Sequence, residues 1–126
     1  MKFSIIIPCY NERDNVDNLI QRLLPLPSKY DLEYVLVENG SKDESKSYFK
    51  QNVDGMYQNI KVAYVPVNQG YGYGLQQGMK IAEGEYVGWI HADLQIPPEA
   101  LIPFVDYVLS NPTRNYFLKG NRSNRS

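Results

Sequence analysis

The feature that most limits what this chain can fold into is an apolar run near its start, Phe3-Ser4-Ile5-Ile6-Ile7, closed by Pro8. A β-branched run that is apolar at nearly every position and ended by proline is typical of a strand buried on both faces. Such strands belong to parallel sheets that carry helices on both sides. The first eight residues therefore favour an α/β fold.

Helical and strand patterns alternate along the rest of the chain. Apolar residues recur with the helical period between Asn15 and Leu24. Further strands are predicted over residues 33–37, 61–65, 85–90 and 115–118, and further helices over 43–52, 75–82 and from Pro97-Pro98 onward. This alternation predicts right-handed crossovers and a mostly parallel, doubly wound sheet flanked by helices.

Composition narrows the class of protein. With 126 residues, 43% of them hydrophobic, the chain is long enough for one core, so we expect a single domain over residues 1–126. A net charge of -1 argues against a nucleic-acid partner. No apolar run approaches the roughly 20 residues of a membrane helix, so no transmembrane segment is expected in this stretch. The single cysteine, Cys9, favours a cytoplasmic setting and a small buried role.

The predicted loops at the carboxyl ends of the first four strands are all polar or glycine-rich. They contain Pro8 to Glu12, Glu38 to Ser41, Asn68 to Gly74, and His91 to Gln95. In parallel sheets, ligands bind beyond this edge. The coincidence of four such loops predicts one binding site there.

The loop after the fourth strand carries three metal-capable side chains at alternate positions, His91, Asp93 and Gln95. In extended backbone these point to one side. Oxygen ligands with one imidazole suit Mn²⁺, or Mg²⁺ less well, and such an ion would polarise the leaving oxygen of a diphosphate. The alternative interpretation is a polar strand end in which Asp93 caps the next helix.

Gly70, Gly72 and Gly74 precede a predicted helix, so backbone amides there are placed to cradle an anion. Their spacing does not fit the dinucleotide fingerprint, because the third glycine would fall on Leu75 or Gln77. This argues against a dehydrogenase nucleotide-binding half. The alternative interpretation is a flexible turn.

The first two loops suit a nucleoside. Tyr10 offers a flat apolar face, and the carboxylates of Glu12 and Glu38 can accept hydrogen bonds from base or ribose. Carboxylates repel phosphate, so the diphosphate is expected nearer the metal. Ordinary turn and helix-capping chemistry is the alternative for each loop alone.

In this order, the motifs resemble the family 2 glycosyltransferases with the GT-A fold, especially the branch that transfers a sugar to a polyprenyl phosphate. The matching stretches are residues 4–12, 37–43, 68–72 and 84–99. The resemblance implies a donor site formed by Pro8, Tyr10, Glu12, Glu38, Asn39, Gly70, Gly72, Gly74, Ala92 and Arg122, with the metal at His91, Asp93 and Gln95.

Three departures from the family pattern stand out. His91 replaces the first acidic residue of the usual D-x-D, and Glu38-Asn39 replaces the commoner Asp-Asp. The family's catalytic domain also runs well past this length, so the acceptor half and the catalytic base are expected beyond Ser126. The chain is thus expected to be the donor-binding part of a longer enzyme.

The function that follows is transfer of a sugar from a UDP- or GDP-linked donor, assisted by a divalent cation, to a lipid-phosphate or saccharide acceptor. The expected location is the cytoplasm, including the cytoplasmic face of a membrane. The alternative is a noncatalytic nucleotide-sugar-binding or regulatory module, which would hold the nucleotide without turnover.

Overall fold

The computed structural model describes residues 3–25, 31–93, 98–110 and 118–119. The elements in chain order are β1 (Phe3–Cys9), α1 (Val16–Leu23), β2 (Leu32–Asn39), α2 (Ser45–Asn52), β3 (Ile60–Val65), α3 (Tyr71–Ile81), β4 (Tyr86–Trp89), a 3-10 turn (Pro98–Ala100), α4 (Leu101–Ser110) and β5 (Leu118–Lys119). The predicted alternation of strands and helices is confirmed. Within these ranges, every helix is too short or too polar to span a bilayer.

The strands form one sheet in the order β3-β2-β1-β4-β5, and each pairing is parallel. The chain steps outward from β1 to β3 and then returns to the other side of β1 with β4. Cys9, Glu38 and Tyr64 lie side by side in register, so the carboxyl ends of β1, β2 and β3 are nearly level. The loops that follow these strands therefore leave the sheet at the same edge.

Both faces of the sheet are covered, which confirms the doubly wound architecture. On one face, Ile5 and Ile7 pack in a cluster with buried side chains of α1, α2 and α4. On the other face, Ile6 packs with Val37 and with Leu75 of α3. Because β1 and β2 are buried on both faces, their sequences are largely continuous apolar runs rather than alternating ones.

Pro8 lies buried inside β1, a strand with a neighbour on each side. Proline lacks an N–H and normally disrupts a central strand. The backbone polar groups of Ile6 point toward β4, since its carbonyl accepts a hydrogen bond from the N–H of Ile90. Those of Pro8, two residues later, point to the same side, but the β1–β4 pairing has already ended at Ile6 and Trp89. The missing donor therefore costs no bond in the sheet.

Helix α3 begins at Tyr71, and the prediction of a loop through Gly74 is wrong. Gly70, at φ 101°, precedes the helix, and Gly72 and Gly74 lie in its first turn. A Cβ on Gly74 would lie 2.7 Å from the side-chain nitrogen of Asn39, and one on Gly78 would lie 2.6 Å from Ile6. These glycines therefore allow the helix to pack closely on the sheet, and this packing outweighs their low helix propensity.

At the amino ends of the strands, Ser4, Glu33, Lys61 and Glu83 form a polar cluster, which we call the amino-end cluster. The buried carboxylate of Glu33 accepts hydrogen bonds from the Ser4 hydroxyl and from the N–H of Glu83 at 2.6 Å. Lys61 pairs with Glu33 at 3.0 Å and donates to the carbonyl of Ile81 at 2.7 Å. The cluster thus ties the end of α3 and the approach to β4 to three strands.

Candidate functional site

An open cavity of about 480 Å³ lies at the carboxyl ends of β1, β2 and β3. It is lined by Tyr10, Gly40, Ser41, Lys42, Pro66, Val67 and Asn68. The loops from three neighbouring strands therefore meet around one concave space. Its volume falls in the range of about 300 to 1,000 Å³ that is usual for small-molecule sites.

Asn11 joins the loop after β1 to the loop after β2. Its side-chain oxygen accepts hydrogen bonds from the backbone N–H of Lys42 at 2.8 Å and of Asp43 at 3.3 Å, while its own N–H donates to Ser41 Oγ at 2.9 Å. Asn11 has φ 55°, a left-handed conformation that asparagine adopts more readily than most residues. Sequence reasoning did not select Asn11 for the site, although an asparagine directly after a strand is a usable signal for such a turn.

Gly40 and Asn68 join the loop after β2 to the loop after β3. Gly40 has φ 71°, and a Cβ on it would overlap the backbone nitrogen of Asn68. The Asn68 amide donates to the carbonyl of Asn39 at 2.8 Å, and its oxygen accepts from the N–H of Gly70 at 3.1 Å. The close approach of these two backbones explains why position 40 requires glycine.

Glu38 and Asn39 are consecutive residues of β2 and therefore face opposite sides of the sheet. Glu38 is 1% exposed, and its carboxylate accepts hydrogen bonds from the N–H of Ser41 at 3.1 Å and from the Ser41 hydroxyl. Asn39 is also buried and lies against Gly74, with its amide 3.4 Å from the carbonyl of Gly70. Within the part of the chain that the structure describes, its side-chain oxygen has no hydrogen-bond partner. Glu38 thus supports the cavity rim through Ser41, and Asn39 lies below the start of α3.

The remaining β1-end residues differ in accessibility. Tyr10 is 40% exposed at the cavity, whereas Glu12 is half-buried and accepts a hydrogen bond from the Asn15 side chain at 2.8 Å. Cys9 is buried, as expected, and its thiol contacts the carbonyl of Ile7. Burial, followed by the nearby carboxylates of Glu12 and Glu38, raises the pKa of the Cys9 thiol. The thiol therefore stays protonated at neutral pH and is a poor nucleophile.

The loop after β4 places His91 beside the amino end of α3. The His91 ring centroid lies 5.3 Å from that of Tyr71, with the two planes 30° apart. Ala92 is buried and Asp93 is exposed. The structure therefore places His91 beside Tyr71 at the start of α3, while Gln95 and Arg122 lie outside the described residues.

Two of the described residues after β4, His91 and Asp93, carry side chains that can bind a metal ion. Within the described ranges, no three His, Cys, Asp or Glu side chains form a group that could hold an ion. His91 and Asp93 supply one imidazole and one carboxylate. A cation that binds with substrate phosphates commonly takes only one or two protein ligands and completes its shell with phosphate and water oxygens. Among the described residues, this donor set is smaller than a metal held by protein alone requires, and it equals the number of protein ligands that a substrate-bound cation takes.

Sequence comparison identifies relatives of this chain. The profile described as Glycosyl transferase family 2 matches residues 4–124. An uncharacterized glycosyltransferase of Synechocystis sp. is 38% identical over 110 residues, which cover 84% of this chain and 34% of the relative. An undecaprenyl-phosphate 4-deoxy-4-formamido-L-arabinose transferase of Proteus mirabilis is 31% identical over 104 residues, which cover 79% and 31%. The chain thus spans about a third of the length of these curated relatives.

Structural comparison agrees with the sequence match. The crystal structure of S. aureus TarS 1-349 in complex with UDP-GlcNAc superposes with a TM-score of 0.68 at 28% identity, covering 87% of this chain and 32% of that chain. The parallel α/β architecture is that of the GT-A glycosyltransferases. With the family profile spanning nearly the whole sequence, the chain belongs to glycosyl transferase family 2.

Proposed function

We propose that residues 1–126 form the donor-binding domain of an enzyme that transfers a sugar from a nucleotide diphosphate to an acceptor. The observation that carries this proposal is the cavity in which the loops after β1, β2 and β3 converge. Its position beyond the carboxyl ends of parallel strands is the usual one for nucleotides in α/β folds. The solved UDP-GlcNAc complex of TarS supports a nucleotide-sugar ligand.

In this proposal the nucleoside occupies the cavity. Tyr10 offers its ring face to the base, and Glu12 accepts a hydrogen bond from a base or ribose donor. For Glu38 and Asn39 a role in donor binding stays a prediction, and their internal hydrogen bonds favour an indirect one. Glu38 would hold the Ser41 rim, and Asn39 would support the start of α3.

The diphosphate would lie between the amino end of α3 and the loop after β4. Backbone N–H groups in the first turn of a helix favour an anion, and the ring contact between Tyr71 and His91 shows that the two segments adjoin. His91, Asp93 and Gln95 would hold a divalent cation, Mn²⁺ or Mg²⁺, which when bound neutralises diphosphate charge and polarises the leaving oxygen. Arg122 would contribute a further positive charge.

During transfer, an acceptor oxygen attacks the anomeric carbon from the face opposite the diphosphate. A new carbon–oxygen bond forms, the bond from that carbon to the phosphate oxygen breaks, and the nucleoside diphosphate departs with the electron pair. The undecaprenyl-phosphate transferase among the relatives supports a lipid-phosphate acceptor. Such an acceptor is already anionic and needs little deprotonation, so a catalytic base matters less than for an alcohol.

Calorimetry on the 126-residue chain tests the donor site. We expect UDP- or GDP-linked sugars to bind in the presence of Mn²⁺, and binding to be lost without it or in Asp93→Ala. Asp106→Ala, at an exposed carboxylate on α4, is the matched control and should bind normally. If the chain binds none of UDP, GDP, UDP-GlcNAc and GDP-Man, the proposal is refuted. Equal affinity with and without Mn²⁺ would refute the role of the cation.

A further inference from the structure

Tyr71 and His91 form an aromatic pair that joins two of the four site segments. Tyr71 is the first residue of α3, and His91 follows β4. Their centroids are 5.3 Å apart at an interplanar angle of 30°, within the separation at which aromatic rings attract one another. Tyr71 remains 38% exposed, so its ring lies at the surface of the site rather than inside the core.

The helix that carries Tyr71 is closely packed against the sheet. Gly74 lies against Asn39, and Gly78 lies against Ile6 and Val37, with no space for a Cβ at either glycine. One end of α3 is further tied down by the Lys61 ammonium at the carbonyl of Ile81. Tyr71 therefore lies on a rigid helix. Residues on rigid elements hold a neighbouring side chain more accurately than residues on loops.

A tilted aromatic contact such as that between Tyr71 and His91 limits how far the imidazole ring can turn. Both nitrogens of His91 direct their proton or lone pair outward in the ring plane. Restricting the rotation of the ring therefore restricts the directions in which its nitrogens can bind a cation or a phosphate oxygen. Groups that orient a ligating histidine typically alter affinity about 10-fold or more when removed.

We propose that Tyr71 is a positioning residue that holds the His91 imidazole so that a ring nitrogen faces the donor diphosphate and its cation. The inference rests on the proposed nucleotide-sugar site. The requirement is for the aromatic ring, so Tyr71→Phe should retain the function and Tyr71→Leu should lose it. Loss of the Tyr71 ring should weaken binding of the diphosphate and its cation only, so the affinity for uridine alone should not change.

The sole histidine of the chain makes the test direct, because its imidazole proton signals in an NMR spectrum have a single source. In the ligand-free protein, Tyr71→Leu should shift these signals through loss of the ring current, and Tyr71→Phe should keep them near the wild-type values. Tyr107→Leu is the matched control, a tyrosine 51% exposed on α4. With substoichiometric Mn²⁺ and UDP-GlcNAc or GDP-Man, whichever the wild type binds better, the His91 signals should broaden.

Calorimetry then measures the functional consequence. We expect Tyr71→Leu to bind the nucleotide sugar with Mn²⁺ about 10-fold more weakly than wild type, and Tyr71→Phe and Tyr107→Leu to bind within twofold. Wild-type affinity in Tyr71→Leu, an equal loss in Tyr71→Phe, or a parallel loss of uridine affinity would each overturn the positioning role. Failure of the wild type itself to bind any nucleotide sugar would instead refute the proposed function on which the inference rests.

Discussion

At the amino ends of its strands the sheet carries Ser4, Glu33 and Lys61, whereas at the carboxyl ends it carries Glu38, Asn39 and the loops beyond them. The first group joins with Glu83 in a compact network in which the Lys61 ammonium pairs with both carboxylates. Glu33 is buried within this network and is only 4% exposed. The polar groups of this cluster bond to one another.

The carboxyl-end groups also make internal hydrogen bonds, but these bonds join loops around an open space. Asn11 reaches Ser41 and Lys42, and Asn68 reaches the backbone of Asn39. Tyr10 meanwhile stays exposed beside the cavity. The difference teaches that a buried polar cluster can be purely structural, and that a binding site is marked by polar groups that fix loops and leave other groups accessible.

Glu33→Ala should give the largest effect, on stability alone. Its buried carboxylate accepts from Ser4 and Glu83 and pairs with Lys61, and leaving these donors without their acceptor costs about 3 kcal/mol in total. Urea unfolding should show this loss in the free energy of unfolding, while the folded variant binds nucleotide sugar with wild-type affinity. Glu83→Ala, at an exposed carboxylate, should lose less than about 1 kcal/mol. Weakened ligand affinity in folded Glu33→Ala would break the contrast between the two ends.

Gly40→Ala should be the next largest effect and should change both stability and binding. A Cβ there meets the backbone of Asn68 and forces a side chain into φ 71°, so we expect a loss of about 2 kcal/mol and weaker nucleotide-sugar binding.

Gly55→Ala is the matched control for this clash. Gly55 has φ 78° with nothing within 4 Å of the added Cβ, so only the backbone strain of about 1 kcal/mol should appear. Both variants are compared by urea unfolding and calorimetry. Equal effects of the two substitutions would show that the approach of Gly40 to Asn68 does not shape the cavity.

Tyr10→Ala should affect binding with little effect on stability. Loss of one base–aromatic stacking contact weakens affinity by about 1 to 3 kcal/mol, which corresponds to roughly 5- to 150-fold. The free energy of unfolding should change by less than about 0.5 kcal/mol, because the ring is substantially exposed. Tyr107→Ala provides the equivalent truncation on α4. If uridine and UDP bind Tyr10→Ala as tightly as wild type, the cavity does not hold the base against this ring.

The smallest expected effect is the pH dependence of the free energy of unfolding that arises from Glu33 in the amino-end cluster. Burial alone would raise the pKa of Glu33, but the N–H of Glu83, the Ser4 hydroxyl and the Lys61 ammonium together lower it below its ordinary value of 4.5. The stabilisation is therefore present above pH 4.5 and is lost as the pH falls through the lowered pKa.

The unfolding free energy of wild type minus that of Glu33→Gln isolates this contribution. The difference should shrink progressively as urea titrations move from pH 7 to below pH 4.5, because the protonated carboxyl comes to resemble the neutral amide. A difference that stays constant over this range would show that the charge of Glu33 contributes nothing.

Much of the fold could be predicted because both faces of the sheet are buried. The apolar runs of β1 and β2 and the helical period of α1 required no knowledge of their neighbours. The start of α3 was missed because Gly72 and Gly74 have low helix propensity, and the packing of Gly74 on Asn39 is long-range.

The site was predicted at the level of loops and less well at the level of contacts. Register and strand order bring the four carboxyl-end loops to one edge, and sequence patterns were sufficient to expect this. The bonds of Glu38 to Ser41, three residues away, and of Asn11 to Lys42 depend on backbone conformations that composition does not encode. An isolated asparagine or glutamate in a turn is compatible with several partners, and only the fold selects one.

The strand order also has a consequence for the growing polypeptide. Every residue that lines the cavity lies between Tyr10 and Asn68, so its wall leaves the ribosome before β4. Until Tyr86–Trp89 has been translated, β1 has only one of its two neighbours and its Phe3 to Ile6 edge is unpaired. At 5 to 20 residues per second, adding the next 20 or so residues leaves that edge open for roughly 1 to 4 seconds. In a nascent chain paused in this interval, the unpaired strand edge can pair with other chains and cause aggregation. This is the stage at which a holding chaperone would protect the chain most.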